Sequence, residues 1–293
     1  MTWTTADIGD QSGRTFLITG ANSGLGEQTA LALGSAGANV ILACRTVAKA
    51  EPVAARIGSN ASITELDLAD LSSVRACAER TGPIDVLINN AGVMAIPQGR
   101  TVDGFEKQIG TNHFGHFALT GLLLPKIADR VVTVSSTMHK IGKIDLEDPN
   151  YRQRSYSRWP AYGQSKLANL QFSYELARRL GAAGSTVKSM AAHPGYAATE
   201  LQSHTESVWD RLMGLGNLMA QSAADGALPS LYAATSDHAR SGGFYGPTKL
   251  GGMRGAPGPA TGNKRSRDEL VAAGLWELSE SLTGVTYSVD PKL

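Results

Sequence analysis

"LITGANSGLGEQTA", residues 17–30, decides how the chain is read. It opens inside an apolar run, 15–19, that reads as a buried strand. It closes on alanine-rich sequence, 27–36, that reads as a helix ending at Gly37. Between strand and helix lie Gly20, Gly24 and Gly26, a GxxxGxG spacing that also carries Asn22, Ser23 and Leu25. Glycine permits a tight turn and lets backbone N–H groups approach a pyrophosphate, and the positive end of the following helix favours that charge. A Gly-rich turn alone is weak evidence. Set between a buried strand and a helix, it points to a dinucleotide.

The alternation continues outward. Strands are expected at 38–45, 62–68, 84–92, 130–136 and 186–195, with helices at 47–57, 71–79, 103–126, 161–180 and 224–236. Short apolar strands separated by helices indicate an α/β fold: a three-layer, doubly wound parallel sheet of the Rossmann type. The second strand ends on Ala43-Cys44-Arg45, where NAD-binding folds place an acidic residue for the ribose diol. Here Arg45 stands instead, with Lys49 one helical turn on, and an arginine fork suits a 2′-phosphate. NADP(H) is therefore favoured, with NAD(H) possible.

Residues 241–262 contain 11 Gly or Pro in 22 and read as irregular backbone. Ser266 and Glu269 then have capping-box spacing ahead of an apolar helix with Leu270, Leu275, Trp276 and Leu282. No internal repeat or domain boundary shows. The 293 residues read as one domain, with a cofactor and catalytic core over 13–200, a Met-bearing segment at 196–225 and a C-terminal extension over 240–293. With 27 Lys+Arg against 26 Asp+Glu, charge suggests no nucleic-acid partner. Two cysteines make no disulfide framework and fit a reducing cytosol. The polar N-terminus lacks signal-peptide character, and no apolar run is long enough for a membrane span. A cytoplasmic location is expected.

Further motifs follow in order: Asp67-Leu68; Asn89-Asn90-Ala91-Gly92; Asn112; Ser136; Tyr162-x-x-x-Lys166; and Pro194-Gly195 with Thr199. Together with the glycine loop they resemble the short-chain dehydrogenases/reductases, over 13 to about 200. "TNHFGHF", "YGQSKLANL" and "HPGYAATEL" are most similar to the branch of retinol dehydrogenases, WW-domain oxidoreductases and protochlorophyllide-reductase-like proteins. The resemblance implies that Asp67 and Leu68 hold the adenine and that Asn90, Ala91 and Gly92 line the adenine-ribose side. It implies that Pro194, Gly195 and Thr199 meet the nicotinamide carboxamide. It also implies a homodimer or homotetramer that pairs the helices expected at 103–126 and 161–180.

Tyr162 and Lys166, four apart on a helix, share one face. A free tyrosine, with a pKa of about 10, is a poor base near neutrality, and an adjacent ammonium favours the phenolate. Lys166 can supply that charge and also hold the nicotinamide ribose. Ser136, the second serine of its pair as in the family, would hydrogen-bond the substrate oxygen from a strand end. Asn112 would help hold a water beside Lys166. His113 and His116 have no carboxylate or cysteine beside them in a ligand pattern, so no metal site is expected.

The link 137–161 carries Tyr151, Tyr156 and Trp159 and reads either as a wall of the pocket mouth or as a solvated loop. In the family that the chain resembles, such a stretch covers the substrate; residues 196–225, with Trp209, Met213 and Met219, suit an apolar ligand, and the same letters also suit an amphipathic core helix. The expected function is interconversion of an alcohol with a ketone or aldehyde on an apolar small molecule. Two alternatives stand beside it. C=C reduction of the protochlorophyllide-reductase type uses the same Tyr and Lys. A non-catalytic NADP-binding regulator would be expected to lose Tyr, Lys or Ser, and all three are present.

Overall fold

A computed structural model describes residues 2–196 and 221–288. Its strands are β1 (Thr15–Thr19), β2 (Asn39–Cys44), β3 (Ala61–Glu65), β4 (Ile84–Asn89), β5 (Ile127–Val134), β6 (Lys188–Ala192), β7 (Phe244–Lys249) and β8 (Arg254–Pro259). They form one sheet in the order β3-β2-β1-β4-β5-β6-β7-β8, parallel throughout except for β8. Ile18 of β1 is flanked by Leu42 on one side and Ile88 on the other. Strand order reverses between β1 and β4, so the carboxyl ends of these two strands open a crevice.

The period-two alternation of β1 divides the core. Phe16 and Ile18 face a layer containing α1 (Gly24–Ser35), through Ala30 and Leu33, and α7 (Ala223–Thr235), through Ala227 and Leu231. Leu17 faces the other layer, of α3 (Leu71–Arg80), α5 (Gly115–Leu123) and α6 (Arg158–Ala182). A short α2 (Glu51–Ile57) follows β2. Burial on both faces is why these strands read as continuous apolar runs rather than as alternating ones.

The helix expected over 103–126 is interrupted. Its first turn, α4 (Lys107–Ile109), is capped by the carboxylate of Glu106, which accepts from Gln108 N and Ile109 N at 2.9 Å each. A π-helical turn, Gly110–Phe114, then leads into α5. Gly115 packs so tightly that a Cβ there would meet the carbonyl oxygen of Leu68 at 2.3 Å.

The expectation of irregular backbone over 241–262 fails, because β7 and β8 occupy most of that stretch as an antiparallel pair. Its prolines are compatible with strands for a positional reason. Pro257 and Pro259 lie on the edge strand, and Pro247 lies beyond the two residues of β7 that pair with β6. Gly251 and Gly252, at φ +66° and +89°, turn the chain between the two strands.

The helix after this hairpin is α8 (Glu269–Thr283). The capping box expected at Ser266 does not form. Asp268 caps the helix through Val271 N at 3.2 Å, while the Ser266 hydroxyl donates to the Asn263 carbonyl. Leu270 points out, 88% exposed, and Leu275 and Trp276 are buried. Trp276 stacks on Phe172 of α6 and meets Phe117 of α5 edge-on. The Tyr287 hydroxyl donates to the Phe117 carbonyl at 2.6 Å. The chain's own C-terminal segment thus packs against α5 and α6.

Candidate active site

The crevice beside the end of β1 is a cleft of about 270 Å³ lined by Gly20, Asn22, Ser23, Gly24, Leu25 and Gly26. Gly20 has φ +67°, which favours glycine. A Cβ on Gly26 would lie 2.2 Å from the Gly20 carbonyl oxygen, so only hydrogen lets the loop close on itself. Arg45, Asp67, Leu68, Asn90, Ala91 and Gly92 complete the walls. Arg45 is exposed at the rim, and its guanidinium has no ion-pair partner among the described residues. Asp67 does not cap α3. That role falls to Asp70, and the Asp67 carboxylate instead holds its own turn by accepting from Ala69 N at 2.9 Å.

Thr19 fastens the two strand ends together. Its hydroxyl oxygen accepts from Asn90 N and Ala91 N at 2.9 Å each, and Asn90 Nδ2 donates back to the Thr19 carbonyl. His116 Nδ1 donates to the Asn112 carbonyl, so its Nε2 is the acceptor for the Thr19 hydroxyl at 2.9 Å. Burial holds His116 neutral, with its pKa lowered to about 4. His113 is also buried, and its Nε2 meets the Ser279 hydroxyl at 3.0 Å. Both histidines are structural. Among the described residues, no three potential ligands converge on a metal position.

A second cleft, of about 150 Å³, continues from the first through their shared residues Leu25, Asn90, Gly92 and Val93. Ser136, Tyr162, Lys166, Pro194 and Gly195 line it, with Met138, Trp159 and Tyr196. Ser136 lies just past β5 and Tyr162 in the second turn of α6, so a strand end and a helix face bring residues 26 apart in sequence into one wall. Ser135 is tied down, its hydroxyl donating to the Lys166 carbonyl at 2.7 Å, whereas Ser136 faces the phenol of Tyr162 and favours its ionised form.

Lys166 does not lower Tyr162 in this geometry, contrary to the expectation from their spacing. Its Nζ lies 5.8 Å from the tyrosine ring centroid and donates to the Val134 carbonyl at 3.1 Å. Burial dominates both groups: it pushes the phenol up to about 12 and the ammonium down to about 8.

Asn112 sits in the π-turn behind the cleft. Its Oδ1 accepts from Val93 N at 2.8 Å, and its Nδ2 donates to the Val93 carbonyl and to the Ser165 hydroxyl. The side chain is therefore a clamp on the strand exit that forms the floor of both clefts. A Cβ on Gly92 would come within 3.0 Å of Asn112 Oδ1 and 3.5 Å of Lys166 Nζ. Thr199 lies outside the described residues, as does most of the segment 196–225.

The link from 137 to 157 is packed in part: Asp148, Pro149, Asn150 and Tyr151 are buried, while Ile141, Leu146, Arg152 and Gln153 are exposed. The Asp148 carboxylate accepts from the N–H groups of Arg152, Gln153 and Arg154, and Arg154 lies over the Tyr151 ring at 3.8 Å. The link leads into Trp159, whose ring stands edge-on to that of Tyr162 in the pocket wall. Sequence reasoning missed Thr19, Val93, Met94 and Thr111 as cleft residues. Of these only Thr19 carried a signal, as the last residue of the strand before the glycine loop.

This geometry has counterparts among known proteins. Residues 14–208 match the short chain dehydrogenase family. The chain belongs to that family. It is 41% identical to retinol dehydrogenase 13 of Homo sapiens, covering 93% of this chain and 85% of that protein. It is 40% identical to retinol dehydrogenase 12 of Homo sapiens, covering 94% and 88%. The crystal structure of a Mycobacterium paratuberculosis protein of uncharacterised function superposes with a TM-score of 0.86 at 50% identity over the whole of both chains. The 3-ketoacyl-(acyl-carrier-protein) reductase of Brucella melitensis, solved with NADH, superposes with a TM-score of 0.63 at 25% identity, covering 80% of this chain and 96% of that one. As a short-chain dehydrogenase, the chain is an oxidoreductase with a nicotinamide-binding Rossmann fold, and no helix among the described residues is long and apolar enough to cross a membrane.

Proposed function

We propose that this short-chain dehydrogenase interconverts an alcohol with its ketone or aldehyde on an apolar small molecule, prefers NADP(H), and uses Tyr162 as general acid and base. The observation that carries the reading is one wall holding Ser136, Tyr162 and Lys166, continuous with the glycine-loop cleft.

A nicotinamide dinucleotide fits that cleft, because the Gly20–Gly26 closure leaves bare backbone at the start of α1 and the cleft runs unbroken to Tyr162. The glycine loop would hold the pyrophosphate, Asp67 and Leu68 the adenine, Asn90 to Gly92 the ribose, Pro194 and Gly195 the carboxamide, and Lys166 the nicotinamide ribose. Arg45, with Lys49 on the same rim, would pair with a 2′-phosphate. When bound, this cofactor supplies or accepts the hydride.

The chain's own groups handle the proton. In the reducing direction Tyr162 must carry it, and burial keeps the phenol protonated through the neutral range. Ser136 donates to the substrate oxygen and stabilises the negative charge that grows there. Tyr162 then passes its proton to that oxygen. Proton release leaves Tyr162 as the phenolate. In the oxidising direction the same phenolate takes the alcohol proton.

The pocket wall of Met138, Trp159 and Val93 suits an apolar substrate. The relatives named as retinol dehydrogenases carry in that name a long apolar primary alcohol. We therefore assign this chain to bulky, apolar alcohols and carbonyls. The test is a panel of apolar and polar carbonyls and alcohols, offered with NADP(H) and with NAD(H), with nicotinamide absorbance followed. Turnover of apolar members with NADP(H) is expected. No turnover of any member with either cofactor would count against the reading.

A further inference from the structure

His139 makes two hydrogen bonds to the carbonyl of Ser136. Its backbone N–H reaches that oxygen at 3.0 Å, as part of the short 3-10 turn Thr137–Lys140. Its ring folds back to the same oxygen, with Nδ1 at 2.7 Å. A carbonyl can only accept, so Nδ1 carries the hydrogen. The turn so closed also points Met138 N at the Ser136 hydroxyl oxygen, at 3.2 Å.

The rest of the ring argues against a role as mere filler. His139 is 1% exposed and stands edge-on to Phe244 of β7, 5.7 Å between centroids. Its Nε2 is buried without a partner among the described residues. Burial pushes its pKa below the usual histidine range, and the ring is neutral near pH 7. A phenylalanine would make the same edge contact with no unpaired nitrogen. The one polar group of this side chain that is bonded is the one that grips Ser136.

We infer that His139 is a positioning residue for the reaction: its Nδ1–H fixes the Ser136 peptide so that the Ser136 hydroxyl faces Tyr162 and the substrate oxygen. This rests on the reading of Ser136 given above. It differs from the part played by His116, which ties β1 to the π-turn through Thr19 and the Asn112 carbonyl.

Leu and Asn are close in size, and only Asn offers an N–H near the position of Nδ1. In the full chain, His139→Leu is expected to lower kcat about tenfold or more while cofactor KM stays within about twofold, and His139→Asn to recover most of the loss. His139→Phe, which keeps the contact with Phe244, should behave like the Leu variant and serves if that variant does not fold. In a Ser136→Ala background the His139→Leu or His139→Phe change should add less than about a twofold effect, because the two residues act through one group. Losses that multiply in the double variant, equal losses for Leu and Asn, or a wild-type kcat in the Leu and Phe variants would each overturn the inference. If Ser136→Ala alone keeps full activity, the parent reading of Ser136 fails and takes this one with it; an impaired Ser136→Ala with multiplying losses defeats the His139 inference alone.

Discussion

Tyr162 and Lys166 are held in the same dry wall, and burial moves them in opposite directions on the pH scale while favouring the neutral form of each. The resting site is thus set for proton donation and needs an incoming positive charge or a charged product to favour the phenolate. Arg45 is the other residue on which the account turns, because it stands at the rim where an acidic side chain would select the ribose diol. Arg45→Asp should move preference from NADP(H) toward NAD(H) by roughly tenfold or more, since hydrogen bonds to charged groups contribute about 1.5–3 kcal/mol. The ratio of kcat/KM for the two cofactors measures it, and an unchanged ratio would remove Arg45 as the reader of the phosphate.

At the scale of elements, the site is made where β1, β4 and the π-turn are laced together. Thr19 receives two backbone N–H groups and donates to His116, so Thr19→Val would strand three polar partners in a buried place. Each stranded group costs about 1–3 kcal/mol, so a loss of stability of at least about 2 kcal/mol is expected in denaturant unfolding. A change within about 0.5 kcal/mol would mean the lacing carries no weight. The glycine loop, the strand ends and the Tyr-Lys spacing were legible in sequence because each is local: a turn conformation, a strand terminus, one helical turn. The π-turn at Gly110–Phe114 was hidden, because its letters also suit an ordinary helix. The β7–β8 hairpin was misread because Gly and Pro signal irregular backbone locally, while an edge strand tolerates them for a reason that only the sheet order supplies. Asp268, rather than Ser266, capping α8 is the same lesson on a smaller scale, since both positions carry cap-forming letters.

Across the whole molecule, α8 and the residues after it complete the core that α5 and α6 begin. Trp276, Phe117, Phe172 and Tyr287 form one aromatic cluster there. Buried neutral histidines mark the molecule as acid-sensitive. Burial lowers His113 to about 3, and His116 and His193 to about 4. The unfolded chain takes up these protons near the ordinary value of 6.5, and the folded chain does not. Their contribution to stability is therefore full above about pH 6.5 and is lost as pH falls toward 4, by about 2 kcal/mol each at pH 5. The thermal midpoint should fall by more than about 5 °C between pH 7 and pH 5. A midpoint that holds steady over that interval would mean the histidines titrate alike in both states.

The central claim is that Tyr162 moves the proton. It is tested most directly by comparing Tyr162→Phe with the unaltered chain on whichever carbonyl is turned over, alongside cofactor binding by fluorescence. General acid catalysis contributes about 10²–10⁴-fold, so kcat should fall by at least a hundredfold while cofactor affinity stays within about twofold. A kcat that survives within tenfold, with the cofactor still bound, would contradict the account.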